Sequence, residues 1–545
     1  MDRVRDFFFS RNPDYWPAFR DPGFEEFMAF RRRRVPLKER VENYADGESF
    51  FDRLKEESTV PPSMMSPEGA PDRMLTFVAA LSKNWEDPRS VENVATMPSD
   101  PAIYGSMIGA MANANLVHPE YSEMANDLEA SVVRQIANLV GYNPDKATGI
   151  FTQGGTFCNL YGYLLGIRKS LPNARTLGME YIQDYRIINS QGGHYSNTTN
   201  LSLLGVNIRK KTIRIQVSRT NDMDLDDLET QLLSCFRLKC VVPTIMLTMG
   251  TTDTFGVDRV KPVYDLVNRL CQQFEVKMKP HIHVDAAVGW PLIFFLDYDF
   301  SENPLGINPV TLGGLRRHVE RFSEMKYADS FTIDFQKWGF VPYTSSLVMI
   351  RDKADLRFLE NDPENFSYFE QNTEGQTHLH ATIECSRGAV GLFGAYSGLR
   401  YLGVEGYQTA IAHGLQNANY FRYRLSQVPG VKVLAAANQG PSVAFRMYDQ
   451  EKVEDPDGEF DFEYRIQGDT GYRNRVNGNS RYHREMFLQR GKVGLFTNWV
   501  GSIAHTDYDE KGRYRFIPGE KAVFMNPATT RVEIDRFIDN IRGSR

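Results

Sequence analysis

From residue 147 onward, short apolar runs alternate with longer segments whose apolar residues recur at helical spacing. Strand patterns occupy 147–152, 212–217, 240–248, 281–284 and 330–333, and the segment that follows the first of them has a helical pattern up to Arg168. Strands that alternate with helices predict an α/β fold with a mainly parallel, doubly wound sheet covered on both faces. Because sites in such sheets gather at the carboxyl ends of the strands, we expect a site at that edge.

The sequence before and after this core has different patterns. Residues 1–115 contain helical stretches broken by prolines, without alternating strands, which predicts a helical N-terminal arm. A long helix around Ala389 then leads from the large domain, 116–395, into a smaller C-terminal domain, 396–545.

Within the smaller domain, 431–434 and 442–447 have strand patterns that predict a second sheet. The acidic, glycine-containing stretch 449–469 follows them. We expect this stretch to be an exposed hairpin or insertion.

Composition and charge restrict the possible partners. The chain has 545 residues and a net charge of -6, which gives no broad attraction to nucleic acid or to an anionic membrane. Apolar stretches such as 284–295 are shorter than the roughly 20 residues of a membrane helix. The first residues contain no sustained apolar signal segment, so we expect a cytoplasmic protein.

The five cysteines are spaced too irregularly for a disulfide framework or a zinc site, so we expect reduced thiols and no metal. Cys158 lies one turn into the helix that follows a glycine turn. Two interpretations of Cys158 are possible: a reactive thiol whose pKa is lowered by the helix dipole, or a small, buried and inert helix residue. The inert residue is the favoured interpretation.

Lys337 and Asp285 are the residues with the clearest chemical meaning. Lys337 lies just past the strand pattern 330–333, and Asp285 ends an earlier buried run about fifty residues before it. A lysine in such a position can form a Schiff base, and an aspartate can hold a pyridinium nitrogen protonated. Each residue alone has an ordinary explanation, a surface charge for the lysine and a turn for the aspartate.

Two further elements come before this pair. Gly154, Gly155 and Thr156 lie between a strand pattern and a helix, where backbone amide groups and the helix dipole attract a phosphate. His194 follows two glycines and can lie flat over a cofactor ring. Four such elements in this order suggest pyridoxal phosphate as the cofactor.

This order of motifs resembles the group II decarboxylases, the pyridoxal-phosphate family that includes glutamate, aromatic amino acid and bacterial tyrosine decarboxylases. The likeness runs from about Asn115 to Arg400. It implies a fold type I architecture, with a site at a homodimer interface.

The resemblance also implies a role for individual residues. Gly154, Gly155 and Thr156 are similar to the phosphate-binding turn, His194 to the histidine stacked on the cofactor, Thr252 to a cofactor-contacting threonine, Asp285 to the partner of the pyridine nitrogen, Ala287 to the small residue under the ring, and Lys337 to the Schiff-base lysine. Arg387 resembles an arginine placed at the substrate carboxylate, and Tyr343 a tyrosine that donates a proton. His194 and Tyr368 are alternative donors.

Gln336 departs from the family pattern, in which a histidine comes immediately before the lysine. A glutamine can donate a hydrogen bond to phosphate or carboxylate, but it does not titrate near neutral pH. We therefore expect Gln336 to remain a cofactor-binding residue. The segment 104–107 also has no histidine where a tyrosine decarboxylase would contact the substrate phenol.

Three functions are compatible with these residues. The first is decarboxylation of an L-amino acid to an amine and CO2, for which the resemblance makes the protein a carboxy-lyase. The second is another pyridoxal-phosphate reaction, either carbon–carbon lysis or a decarboxylating aldehyde synthesis. The third is a non-catalytic regulatory relative, for which only Gln336 is an argument.

Two segments are expected to complete the site. The polar loop 360–375, which contains Tyr368, has the character of a lid that excludes water. The aromatic residues of the N-terminal arm, among them Trp16, Phe24 and Phe27, predict that the arm wraps a partner subunit.

Overall fold

A computed structural model of the chain describes residues 82–361, 378–465, 470–490, 494–505 and 516–543, together with a few residues before position 82. The predicted donor Tyr368 and the aromatic residues Trp16, Phe24 and Phe27 lie outside the described residues.

A seven-stranded sheet forms the centre of the large domain. Its strands are β1 (Thr148–Thr152), β2 (Ile187–Ser190), β3 (Thr212–Ile215), β4 (Thr244–Thr248), β5 (His281–Asp285), β6 (Ser330–Asp334) and β7 (Ser346–Ile350). Their order in the sheet is β1-β7-β6-β5-β4-β2-β3. The pairs from β3 to β6 are parallel, whereas β7 is antiparallel to both β6 and β1. The expected mainly parallel sheet is confirmed, although β2 and β7 were not predicted.

Helices cover both faces of this sheet. The helices of eight residues or more in the described part of the large domain are Met124–Val140, Gly155–Ser170, Ser196–Leu203, Leu225–Arg237, Val260–Gln273 and Pro309–Phe322, and helix Asp100–Ala112 precedes this domain in the chain. Among the helices that the structure describes, none combines the length and apolar character needed to cross a bilayer.

The long helix predicted around Ala389 is Val390–Ser426, which lies in the chain between the seven-stranded sheet and the second sheet. Gly403 lies within it at φ 57° and ψ -174°, which interrupts the helical backbone. A positive φ costs glycine little because it has no Cβ.

The smaller domain contains an antiparallel sheet. Its strands are β8 (Val431–Leu434), β9 (Ser442–Met447), β10 (Asn498–His505) and β11 (Phe516–Val523), in the order β10-β11-β9-β8. The helices beside it are Pro456–Arg465, Thr470–Arg490 and Arg531–Gly543. The bounds of β8 and β9 agree with the predicted strands.

The stretch 449–469 was predicted to be an exposed hairpin or insertion, and the hairpin is contradicted because helix Pro456–Arg465 lies there. Its Glu463 forms a fully buried ion pair with Arg446 of β9, at 2.6 Å. An acidic composition indicated exposure, but a buried arginine on the neighbouring strand neutralises the charge.

The face of β5 and β6 that helix Gly155–Ser170 covers is polar. Successive strand residues point to opposite faces. One face therefore holds His281, His283, Asp285, Ser330, Thr332 and Asp334, and the other holds Ile282, Val284, Phe331 and Ile333. The helix approaches this face closely at Gly162, where an added Cβ would lie 2.3 Å from Nδ1 of His283.

Candidate active site

A cavity of about 630 Å³ lies at the carboxyl ends of the large-domain strands. Ten of the residues that the sequence predicts for the site line this cavity: Gly154, Gly155, Thr156, His194, Thr252, Asp285, Ala287, Gln336, Lys337 and Tyr343. These residues come from separate strand ends and turns, and the parallel sheet brings them to one edge.

The glycine turn lies between the end of β1 and the start of helix Gly155–Ser170. Gly154 has φ 136°, which disfavours any residue with a Cβ. As the cap residue it offers no side chain to the first helical turn. The residues of this turn line the cavity at the start of a helix, where backbone amide groups and the helix dipole suit a phosphate.

Cys158, in the same turn of the helix, is fully buried, and its Sγ lies 3.0 Å from Oγ1 of Thr152. Burial raises the pKa of the thiol well above its ordinary value. The favoured interpretation of Cys158 as an inert core residue therefore agrees with the structure.

Lys337 follows β6 by three residues, and its Nζ lies 2.9 Å from Oδ2 of Asp334 at the end of that strand. Burial alone would lower the pKa of Lys337, but the carboxylates of Asp334 and Asp285 outweigh it, so the pKa is raised. Ser346 of β7 donates a hydrogen bond to the other oxygen of Asp334, at 2.6 Å. The lysine is thus held as an ammonium beside a fixed carboxylate.

Gln336 is buried, and β7 and the turn before it hold its side-chain amide. Its Oε1 accepts from the backbone amide of Ser345, and its Nε2 donates to Oγ of Ser346, both at 2.9 Å. Through Ser346 it belongs to the same network as Asp334. The amide is therefore a support for the Lys337 segment as well as part of the cavity wall.

Asp285 ends β5 and is 7% exposed, with both carboxylate oxygens held. The amide group of Asn159 donates to Oδ2 at 2.8 Å, and the backbone amide of Ala287 donates to Oδ1 at 3.1 Å. Charge-assisted hydrogen bonds of this kind stabilise a carboxylate in a water-poor site.

His194 lies near Asp285 in the cavity wall, beside the exposed ring of Tyr195 at a centroid distance of 4.1 Å. Its Nδ1 accepts from the backbone amide of Ser196 at 3.3 Å and lies 2.9 Å from Oγ of the same residue. Burial lowers the pKa of His194, against the opposing effect of Asp285. The ring is therefore neutral at neutral pH.

Tyr343 lines the cavity near Lys337, although its side chain is 62% exposed. Thr252 and Ala287 also lie in the wall. Thr248, at the end of β4, is a further wall residue, and its buried Oγ1 has no hydrogen-bond partner among the described residues. A buried hydroxyl of this kind is costly unless a ligand satisfies it.

The structure does not bring Arg387 to the cavity. Its guanidinium forms a two-point ion pair with Glu129, at 2.5 and 3.1 Å, and also donates to the carbonyl groups of Phe151 and Leu116. Arg387 and Glu129 are 2% and 1% exposed. Withdrawing the arginine to bind a substrate would leave Glu129 buried without its partner, so the predicted role at the carboxylate is corrected to a structural one.

Sequence reasoning missed several residues of the cavity wall. Lys521 of β11 is 4% exposed, and its Nζ lies 2.6 Å from Oδ1 of Asp253. Asp334, Asn159 and Ser502 also line the cavity. The alternation of polar residues in 281–285 and 330–334 was the one available signal, since it marks a polar face on otherwise buried strands.

The residues of the cavity fit a phosphorylated pyridine aldehyde. The lysine amine suits the aldehyde, the held carboxylate of Asp285 suits the ring nitrogen, and the glycine turn suits the phosphate. Thr248 adds a further hydroxyl group to this wall, and its Oγ1 is buried.

Comparison with known proteins agrees with this assignment. Residues 72–297 and 312–448 match a family model described as the pyridoxal-dependent decarboxylase conserved domain. An L-2,4-diaminobutyrate decarboxylase from Acinetobacter baumannii is 24% identical over 333 residues, and an aromatic-L-amino-acid decarboxylase from Bacillus atrophaeus is 26% identical over 325 residues. Each match covers 59% of this chain and 59% of the relative, so the matches leave about two fifths of the relatives uncovered.

The fold is similar to that of mouse CSAD, whose crystal structure in the apo form superposes with a TM-score of 0.67 at 17% identity. That similarity covers 90% of each chain.

Proposed function

We propose that this chain, which belongs to the pyridoxal-dependent decarboxylase family, decarboxylates an L-amino acid to the corresponding amine and CO2 with pyridoxal phosphate as its cofactor. The observation that carries the proposal is the meeting of Lys337, Asp285 and the glycine turn 154–156 in one cavity. A scaffold or regulatory relative would need none of these groups together.

The cofactor, when bound, supplies an electron sink that stabilises negative charge at the substrate Cα. Glycine turn 154–156 would hold its phosphate, and Lys337 would attach its aldehyde carbon. Asp285 would hold the ring nitrogen protonated by an opposite charge within hydrogen-bonding distance. Asp334, 2.9 Å from Nζ of Lys337, would hold this amine as an ammonium until it loses its proton and reacts.

Lys521 is our candidate for the partner of the substrate carboxylate in place of Arg387. It is a buried cation in the cavity wall, and its present partner is Asp253 in the same wall. A carboxylate that enters the cavity would share this ammonium, which has three donors. Lys521 would then orient the bond to CO2 relative to the cofactor ring.

Two groups are proposed as donors of the proton that replaces CO2. Tyr343 is the first, because its phenol lies in the cavity wall and faces solvent that can reprotonate it. His194 is the second, but its buried, neutral ring and its place beside Ser196 suit a role in packing the cofactor.

The first test of this proposal is product analysis. The purified protein with pyridoxal phosphate would be offered each L-amino acid, acidic, aromatic and 2,4-diamino acids first, while CO2, amine, aldehyde and ammonia are measured. Amine and CO2 in equal amounts support decarboxylation. Aldehyde with ammonia, or a product that retains the carboxylate, would support the alternative lyase or synthase reaction instead.

The matched variants for this test are Lys337→Ala and Lys261→Ala. The first removes the amine that lies in the cavity, and the second removes an exposed lysine of helix Val260–Gln273. We expect borohydride to fix the cofactor on the wild type and on Lys261→Ala, but not on Lys337→Ala. Equal fixation on both variants would contradict the role of Lys337.

A homodimer is part of the proposal. Helix Asp100–Ala112 exposes Met107, Ile108 and Met111, which are 37%, 40% and 85% exposed. Apolar residues grouped in this way on a surface suit a subunit interface. Light scattering would test it, and a variant without residues 1–60 that remains dimeric and active would show that the arm is not needed.

We retain a cytoplasmic location in the proposal because all five cysteines are free thiols in the structure. A reducing compartment preserves thiols. Fractionation of the source cells would test this location.

A further inference from the structure

A buried chain of hydrogen bonds runs behind Asp285, away from the cavity. Strands β5 and β6 place His283 beside Ser330 and Asp285 beside Thr332. Helix Gly155–Ser170, which covers the polar face of β5 and β6, contributes Asn159. His281 precedes His283 on the same face of β5. None of these side chains is more than 7% exposed.

The distances are those of well-formed hydrogen bonds. Nε2 of His281 lies 2.7 Å from Oγ of Ser330, which lies 2.7 Å from Nδ1 of His283. Nε2 of His283 lies 3.0 Å from Oγ1 of Thr332, which donates to Oδ1 of Asn159 at 2.7 Å. Nδ2 of Asn159 then donates to Oδ2 of Asp285 at 2.8 Å.

The direction of the chain follows from its end at Asp285. An ionised carboxylate only accepts hydrogen bonds, so the Asn159 amide nitrogen faces Asp285 and the amide oxygen faces Thr332. The hydroxyl of Thr332 donates its hydrogen bond to that oxygen. The same hydroxyl accepts a hydrogen bond from His283, whose proton is therefore on Nε2. Burial lowers the pKa of His283 well below its usual value, so the ring is neutral and its Nδ1 accepts from Ser330. Ser330 accepts from His281 in turn.

The opposite end of the chain agrees with this direction. Nδ1 of His281 is buried and has no hydrogen-bond partner among the described residues, as expected for a lone pair at the start of the chain. All five donors thus point toward Asp285. Hydrogen bonds aligned in this way polarise one another in a low-dielectric interior.

Asn159 also connects Asp285 to His194. Its Nδ2 lies 3.3 Å from Oγ of Ser196, which lies 2.9 Å from Nδ1 of His194. One amide group therefore contacts the carboxylate and, through one hydroxyl, the histidine. In the proposed function Asp285 would hold the ring nitrogen of the cofactor, and His194 would pack on the ring.

We infer that Asn159 and His283 are positioning residues, which fix the orientation of Asp285 and, through Ser196, of His194 around the cofactor ring. This inference rests on the proposed function. Neither residue touches the reacting atoms, so both act through Asp285 and His194. A polar pair that was merely satisfied within the core would contribute to stability without changing the cofactor.

The test compares Asn159→Leu with Asn417→Leu. Asn417 is a matched control because it is also buried in a helix, and its Nδ2 donates to the carbonyl group of Thr529 at 2.8 Å, outside the cavity wall. For each variant we would measure the Kd for pyridoxal phosphate, the pH dependence of the absorbance of the bound cofactor, and Tm. His283→Leu, which keeps the direct Asn159–Asp285 contact, is the third variant.

We expect Asn159→Leu to raise the Kd about tenfold and to shift the pH profile of the absorbance, since it removes a charge-assisted hydrogen bond. His283→Leu should also raise the Kd and shift the pH profile of the absorbance in the same direction, but both changes should be smaller. Asn417→Leu should lower Tm alone. An Asn159→Leu protein with the wild-type Kd and pH profile would overturn the inference.

A second measurement keeps the inference testable if Asn159→Leu does not fold. Nitrogen-15 spectra of the histidines in the wild type should show both His283 and His194 with the proton on Nε2. A proton on Nδ1 of His283 would reverse the chain and overturn the inference. A wild type that binds no pyridoxal phosphate would instead refute the proposed function, so the two failures are distinguishable.

Discussion

The ammonium of Lys337 and the carboxylate of Asp334 lie 2.9 Å apart at the end of β6. The carboxylate favours the protonated amine, yet only the neutral amine reacts with an aldehyde. We therefore expect the pair to set the pH at which the cofactor attaches.

Asp334→Asn should move this attachment to lower pH. The pKa of Lys337 is raised in the wild type by Asp334 and Asp285 together, against the effect of burial. Removing one of the two charges lowers that pKa, so the neutral amine appears at lower pH. The measurement is the rate of covalent attachment at saturating pyridoxal phosphate as a function of pH. A midpoint at or above that of the wild type would contradict the prediction.

Asp285→Asn should retain part of the cofactor but lose turnover by at least about a hundredfold. A charge-assisted contact that keeps the ring nitrogen protonated, and so lets the ring take up negative charge from Cα, is worth roughly 3 to 4 kcal/mol in a dry site. The measurement is kcat beside cofactor content, so that loss of binding is separated from loss of chemistry. Turnover near that of the wild type would make Asp285 a structural residue.

Lys521→Met should raise KM about tenfold or more if the ammonium binds the substrate carboxylate, because one ion pair in a buried wall is lost. Lys521→Arg keeps the charge and should recover most of the affinity. Steady-state kinetics with the substrate found in the product scan would measure both. An unchanged KM in Lys521→Met, with the protein folded, would leave the carboxylate to another group.

Glu129→Gln should lower the free energy of unfolding by about 3 to 5 kcal/mol, because it leaves Arg387 charged and buried without its partner. Glu229→Gln breaks an exposed pair with Arg269 and should cost less than about 1 kcal/mol. Denaturant unfolding of both variants gives the comparison. Equal costs would show that the buried pair contributes no more than a surface one.

The same pair predicts a dependence of stability on pH. Burial would raise the pKa of Glu129, but Arg387 and His378 lower it from 4.5 to about 2. A carboxyl group with a depressed folded-state pKa stabilises the fold above its unfolded value and loses that contribution as the pH falls. The wild type should therefore lose stability between about pH 4.5 and 2 through this group, and Glu129→Gln should lose less over that interval.

The residues that sequence reasoning assigned to the site and that the structure brings to one cavity are recognisable from their local sequence. Lys337, Asp285 and the glycine turn each follow an apolar run, and the rule that parallel strands end at one edge brings them together. The bounds of β5 and β6 differ from the predicted ones by one residue at the carboxyl end.

The residues that it misassigned or missed depend on distant partners. Arg387 was assigned by its local segment, but its position is decided by Glu129, which lies 258 residues away in the chain. Lys521 meets Asp253 across 268 residues and carries no motif of its own. Periodicity along the chain contains no information about such pairings, since each depends on how distant segments of the chain fold against each other.

The position of β1 at the edge of the large sheet has a consequence for synthesis on the ribosome. β1 pairs with β7, whose last residue is made about 200 residues after the first residue of β1. At a synthesis rate of about 5 to 20 residues per second, roughly 10 to 40 s pass between the synthesis of β1 and that of β7, the strand with which it pairs. Until then the glycine turn that follows β1 is anchored to an unpaired strand, so a nascent chain stalled before residue 346 should not retain the cofactor.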